Sequence, residues 1–149
     1  MIAVDTNILV YAHRADSEWH QPALRHLKGL AEGNSRWAVP WPCVHEFLAI
    51  VTHPRIYQPA TPPALAINSM RVRLESPLCT AIGEGTSYLD RLEKLVVDGA
   101  VVGGMVHDAR IAAICIHHAV TLLWTADRDL SRFGEIKTFN PCAVGRSQP

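Results

Sequence analysis

Short apolar runs alternate along this chain with longer stretches in which apolar residues recur at helical spacing. Ile2 to Asp5 reads as a buried strand that stops at an acid. Thr6 is placed to cap a helix over Asn7 to Arg14. Ser17 is placed to cap a second, with Ala23, Leu24, Leu27 and Leu30 on its apolar face and Gly33-Asn34 as its stop. Arg36 to Val39 predicts another strand. Pro40-Trp41-Pro42 turns the chain, and Pro42 opens a helix through Thr52 that His53-Pro54 ends. A proline-rich connection, Pro54 to Pro63, leads to a helix capped by Thr61 and running to Arg73. Leu78 to Ile82 is a third strand. Thr86 opens a helix with Leu89, Leu92, Leu95 and Val96 on one face, ended by Gly99. Gly103-Gly104 precedes a helix from Met105 to His118 whose apolar stripe is Ile111, Ala112, Cys115, Ile116 and Ala119. Thr121 to Trp124 is a fourth strand, Arg128 to Phe133 a short helix, and Ile136 to Phe139 a fifth strand.

Short, wholly apolar strands separated by amphipathic helices predict an α/β fold: a central, mainly parallel sheet of four to five strands, covered on both faces. Crossovers in such sheets are right-handed, and ligands bind beyond the carboxyl ends of the strands. Asp5 ends the first strand and Asp127 lies three residues past Trp124, so two acids distant in sequence are expected at one edge of the sheet.

Length and composition change this picture little. The 149 residues fit one domain spanning 1–149, with the last few as a flexible tail. Apolar residues make up 48% and charged residues 19%, which is globular composition. A formal net charge of zero argues against a salt-driven, general nucleic-acid binder but leaves room for a basic rim around an acidic site. The first apolar stretch contains Asp5 and Asn7 and lacks a basic leader, so a cytoplasmic chain without a membrane partner is expected. Cys43, Cys79, Cys115 and Cys142 are widely spaced and form no C-x-x-C pair; free thiols are expected. The eight histidines have no zinc-ligand spacing, and His117-His118 cannot both face one metal from a helix.

The acids carry the chemistry. Asp5 stands between two apolar segments, where an ionised carboxylate is costly unless a cation or several donors hold it. Glu46 sits in an apolar helix flanked by Ala49 and Ile50, and is either a solvent-facing residue or a site acid; its surroundings favour the second. Asp108 falls in the first turn of its helix, where a helix-dipole role competes evenly with a functional one. After the fourth strand come Thr125, Asp127 and Asp129. One of the two acids is expected to cap the following short helix; Asp129 suits that task and Asp127 the site. Acids gathered in one place repel unless a divalent cation holds them. Magnesium takes oxygen ligands, keeps several waters and needs only one or two protein carboxylates. A bound metal lowers the pKa of its water, which suits phosphodiester hydrolysis near neutral pH. Arg14 and Arg110 lie near these segments and are candidates for substrate phosphate, weighed against solvated surface charge.

Four motifs in order resemble the PIN-domain ribonucleases, and more narrowly the VapC toxins of bacterial toxin–antitoxin pairs: VDTNILVYA (Val4 to Ala12), HEFLAIV (His45 to Val51), HDARIAA (His107 to Ala113) and TADRDL (Thr125 to Leu130). The resemblance implies a three-layer α/β/α PIN-like domain and a Mg2+-dependent endoribonuclease toxin, with Mn2+ as the alternative ion. Its acidic quartet would be Asp5, Glu46, Asp108 and Asp127, with Asp5 and Asp108 as direct metal ligands and Asn7, Thr125 and Asp129 in support. It implies an RNA substrate, a homodimer, and a VapB-like antitoxin whose tail enters the active-site groove, to which Trp19, Trp41 and Tyr57 are candidate contributors. The competing readings are a PIN-like nuclease of RNA processing or DNA without a toxin role, a receiver-like signalling module, and an inactive binding subunit. The receiver reading expects paired acids at the first strand end and a strand-end lysine, and leaves Glu46 without a role. The intact quartet speaks against an inactive subunit.

Overall fold

The structure is a computed structural model that describes residues 1–143; the tail expected at the C-terminal end falls largely outside them. In chain order the elements are β1 (Ile2–Val4), α1 (Thr6–His13), α2 (His20–Glu32), β2 (Trp37–Pro40), α3 (Trp41–Val51), α4 (Pro63–Leu74), β3 (Cys79–Ile82), α5 (Tyr88–Asp98), α6 (Met105–His117), β4 (Leu122–Trp124), a 3-10 turn (Asp129–Arg132) and β5 (Lys137–Phe139). The five strands form one sheet in the order β3-β2-β1-β4-β5, and every pairing is parallel. The chain winds outward from β1 to β3, then returns past β1 to β4. The junction of β1 and β4 is therefore the topological switch point, where open α/β sheets place their ligands.

Helix α1 packs on α2 and α3, α3 packs on α4, and α5 packs on α6. Right-handed crossovers put the first group on one face of the sheet and the second on the other, giving three layers. In α2 the buried residues Ala23, Leu27 and Leu30 follow helical spacing. In α6 they run almost continuously from Ala109 to Cys115, as a helix pressed closely on the sheet requires. The small side chains of Ala109, Ala112 and Ala113, all fully buried, permit that approach. Gly103 supplies the positive φ of 59° with which the chain enters α6.

The predicted elements are all present, with several local corrections. The first strand ends at Val4, not Asp5, and Asp5 rather than Thr6 caps α1 by accepting from the Thr6 backbone N–H. A carboxylate at the end of the strand takes that bond directly, so the next hydroxyl is released for other use. Ser17 does not cap α2, which begins at His20; its Oγ accepts from Trp19 N in the preceding turn. Thr61 does not cap α4 either. Pro62 occupies that position, while the Thr61 hydroxyl meets His13 Nε2 at 3.0 Å and its N–H donates to the carbonyl of Val51. Helix α5 starts at Tyr88 rather than Thr86, and Leu89 is 70% exposed instead of joining Leu95 in the core. The short helix after β4 is a 3-10 turn. Among the described residues no helix is long and apolar enough to cross a membrane.

The α1–α3–α4 layer encloses a polar knot. His13 sits edge-on to Phe47, with Nδ1 3.1 Å from Ser69 Oγ and Nε2 against Thr61. Burial holds its pKa below the usual 6.5, and the charges of Arg73, Arg14 and His20 push it further down. The unfolded chain thus binds a proton at this ring before the folded one does, so stability falls as pH drops below 6.5 toward the lower folded value. We expect the wild-type Tm to decline over that window and the His13→Gln variant to decline less. Thermal denaturation of both proteins at pH 7 and pH 5 measures the difference.

Candidate active site

The site is built where β1 and β4 end. Val4 pairs with Trp124, and the Asp5 N–H continues the ladder by donating to the Trp124 carbonyl at 2.9 Å. That register sets the next residues, Asp5 and Thr125, side by side. Asp5 is only 4% exposed and Thr125 only 3%. Asp5 Oδ1 accepts from Thr6 N at 2.7 Å and from the Cys43 thiol at 3.5 Å; Oδ2 accepts from Thr125 Oγ1 at 2.6 Å and Asn7 Nδ2 at 2.8 Å. Asn7 also donates to Thr125 Oγ1 and accepts from Ala126 N, so it ties the start of α1 to the end of β4. Burial pushes the Asp5 carboxyl above its ordinary 3.8. The hydrogen bonds from Thr125, Thr6 and Cys43 resist that rise, and the nearby charge of Glu46 adds to it.

Around Asp5 lies a cavity of about 270 Å³ that Glu46, Asp108 and Asp127 also line, with Thr6 and Asn7. All four sequence-predicted acids therefore reach one space, and among the described residues no Lys, Arg or His lines it. Glu46 is exposed, not sunk in the helix interface; it takes a 2.5 Å hydrogen bond from the Thr6 hydroxyl that capping left free. Asp108 enters from the first turn of α6 and is half-buried. Its pKa is raised by burial first, then by the charges of Asp127, Asp129 and Glu46. A larger cavity of about 520 Å³ adjoins the first, sharing Glu46, Asp108 and Ile111 and adding His45, His107 and Arg110.

The structure gives Asp127, Arg14 and Arg110 local partners. The local structural bond assigned to Asp129 is made by Asp127, whose Oδ1 accepts from Asp129 N at 2.8 Å while the residue still lines the cavity. The turn is tight enough that an acid two residues ahead, not the one inside it, meets the free N–H. Arg14 is engaged away from the acids, chelating Asp16 at 2.6 and 2.9 Å and lying over the Tyr57 ring. Arg110 pairs with Glu84 on the β3–α5 connection, its Nε at 2.6 Å. Sequence reasoning also missed Cys43 and Thr6. The spacing held a signal for each: Cys43 precedes Glu46 by one helical turn, and Thr6 directly follows Asp5.

The donor set suits a hard divalent cation: several carboxylates in one space, two of them pushed toward protonation by burial first and by neighbouring acids second. Among the described residues no three His, Cys, Asp or Glu side chains already surround a single point. A cation here would hold one or two carboxylates directly and reach the others through its waters, as magnesium does.

The fold and site define a metal-assisted hydrolase of the α/β class, and the comparisons make this specific. The PIN domain profile matches residues 2–136, and the chain belongs to the PIN domain family. It is 30% identical over 141 residues to the VapC ribonuclease Mb2897 of Mycobacterium bovis, covering 95% of both chains. Its fold resembles that of Mycobacterium tuberculosis VapC20, a sarcin-ricin loop cleaving toxin, with a TM-score of 0.68 at 17% identity over 92% of this chain and 99% of that one. It also resembles VapBC2 of Rickettsia felis, solved bound to a DNA fragment from their promoter, with a TM-score of 0.64 at 20% identity over 94% of this chain and 98% of that one. PIN-domain ribonucleases are in general dependent on divalent metal.

Because Asp108 is raised above 3.8 in the fold, its charged form destabilises the folded state at neutral pH, and that cost fades as pH falls back through the folded value. The Asp108→Asn protein, without metal at pH 7.5, is expected to melt above wild type. Adding millimolar Mg2+ should raise the wild-type Tm and move the variant much less. Differential scanning fluorimetry with and without Mg2+ reads both effects.

Proposed function

We propose that this chain is a Mg2+-dependent endoribonuclease and the toxin of a type II toxin–antitoxin pair, hydrolysing RNA phosphodiester bonds. The observation that carries the reading is the cavity in which buried Asp5, fixed by Thr125 and Asn7, faces Glu46, Asp108 and Asp127 with no basic side chain among the lining residues. Asp5 and Asp108 are the direct ligands of the ion, magnesium with manganese as substitute. A bound divalent cation supplies a water of lowered pKa and offsets the charge of the approaching phosphate. Asp5 cannot turn, because both of its oxygens are tied to donors from α1, α3 and the end of β4. Glu46, held by Thr6, and Asp127, held by its own turn, are placed to orient water and to accept the proton that hydrolysis releases. Thr125 and Asn7 act through Asp5 as positioning residues.

The VapBC complexes among the structural neighbours support an antitoxin of the VapB kind as partner; a homodimer as the assembly and the cytoplasm as the place of action complete the proposal. A basic antitoxin side chain entering the acidic cavity would supply the positive charge it lacks.

Incubation of the purified protein with total cellular RNA, followed by mapping of the new ends, tests the activity and names the target. Discrete cuts are expected with Mg2+, none with EDTA, and at least about a hundredfold fewer from Asp5→Asn, since a metal's contribution amounts to several kcal/mol and each 1.36 kcal/mol is tenfold in rate. Cleavage that persists in EDTA or in Asp5→Asn would overturn the assignment. Thr125→Val, which strips the shortest bond from Asp5, is expected to lower kcat by about 10- to 100-fold with the fold intact, measured on the mapped RNA.

A further inference from the structure

The acidic cavity has a second wall that the hydrolytic chemistry does not use. Its apolar and aromatic members are Val10, Tyr11, Ile50, Tyr57 and Ile111, with Ile50 and Ile111 one helical turn beyond Glu46 and Asp108. A hydrated cation and a phosphate have no use for an aromatic surface. A nucleobase next to the scissile phosphate does, because single-stranded RNA is gripped by splayed bases stacked on aromatic rings.

Tyr57 is braced for such a role. The Arg14 guanidinium lies 4.1 Å from the centre of its ring and covers one face. Arg14 is itself fixed by both oxygens of Asp16, by the Pro59 carbonyl at 3.1 Å and by Thr61. The backbone beneath the ring is anchored as well: Tyr57 N donates to the His53 carbonyl and Thr61 N to the Val51 carbonyl. The proline-rich connection is thus held as a rigid platform at the rim of the cavity. Tyr11 reaches the same wall from α1, one helical turn beyond Asn7. Arg14, read from sequence as a phosphate ligand, serves here to hold an aromatic ring.

We infer that Tyr57, backed by Arg14 and flanked by Tyr11, is a stacking subsite for the nucleobase adjoining the cleaved phosphate. The inference rests on the ribonuclease reading and assigns these residues a part in substrate selection. The subsite accepts any base with a π face and discriminates against a position that lacks one.

The test uses the full-length protein and the RNA whose cut site has been mapped, together with versions carrying a single abasic residue at each of the three nucleotides on either side of the cut. One abasic position is expected to lower wild-type kcat/KM by between about 5- and 150-fold, the range that stacking of one base spans. Tyr57→Ala should lose a similar factor on intact RNA, mainly through KM, and show no further loss at that abasic position. Tyr57→Phe should behave as wild type. If circular dichroism finds Tyr57→Ala unfolded, Tyr57→Leu, which keeps apolar volume without a π face, carries the same comparison. Equal cleavage of intact RNA by wild type and Tyr57→Ala, or an unchanged abasic penalty in the variant, would overturn the subsite while leaving the ribonuclease reading standing. No cleavage by wild type of any RNA would overturn that reading and the subsite with it.

Discussion

One desolvated carboxylate organises this molecule. Asp5 is almost fully buried, and removing its charge from water is costly unless the surroundings restore what hydration supplied. Four donors do part of that: the Thr6 N–H, the Cys43 thiol, the Asn7 amide and the Thr125 hydroxyl. They come from two helices, α1 and α3, and from the end of β4, so satisfying the carboxylate also fixes how α1, α3 and β4 meet. Yet the donors do not fully offset the burial, and the Asp5 pKa stays above its ordinary value. The remaining deficit is positive charge, and its natural remedy is a cation.

The same constraint explains the placement of the other acids. Ligands of a doubly wound sheet gather where the strand order reverses, and here that point lies between β1 and β4. Asp127 arrives with the chain leaving β4, Glu46 with the exposed face of α3, and Asp108 with the first turn of α6, after the long return from β3. Burial first, and then their mutual repulsion, raises Asp108 as well. A fold optimised only for stability would not collect these charges, and the apolar packing of α6 against the sheet bears the cost.

Much of this was legible in the sequence because it depends on patterns that read locally. Apolar runs of strand length, helical stripes such as Ala23, Leu27 and Leu30, and stops at Gly33 and Gly99 give the element order, and the strand-end rule brings Asp5 and Asp127 together. The apolar surroundings of Glu46 and the first-turn place of Asp108 raised those two acids, and the four motifs strengthened both. What did not read was the competition between neighbours for a single hydrogen bond. Asp5 displaced Thr6 as the cap of α1, which freed Thr6 for Glu46, and Asp127 took the turn bond expected of Asp129. The partner of Arg110 was equally hidden, since Glu84 becomes its neighbour only through the fold, whereas Asp16 stands two residues from Arg14 in the sequence. The side-by-side register of Asp5 and Thr125 depends on strand pairing across 120 residues, which no local pattern encodes.

The central claim is that the cavity is short of positive charge and that a divalent cation supplies it. The most direct measurement is an NMR titration of the side-chain carboxyl carbons of Asp5 and Asp108, with and without Mg2+. The account predicts that both titrate above 3.8 in metal-free protein and that both move downward when Mg2+ is added. Ordinary values in the metal-free protein, or titrations unmoved by Mg2+, would contradict it.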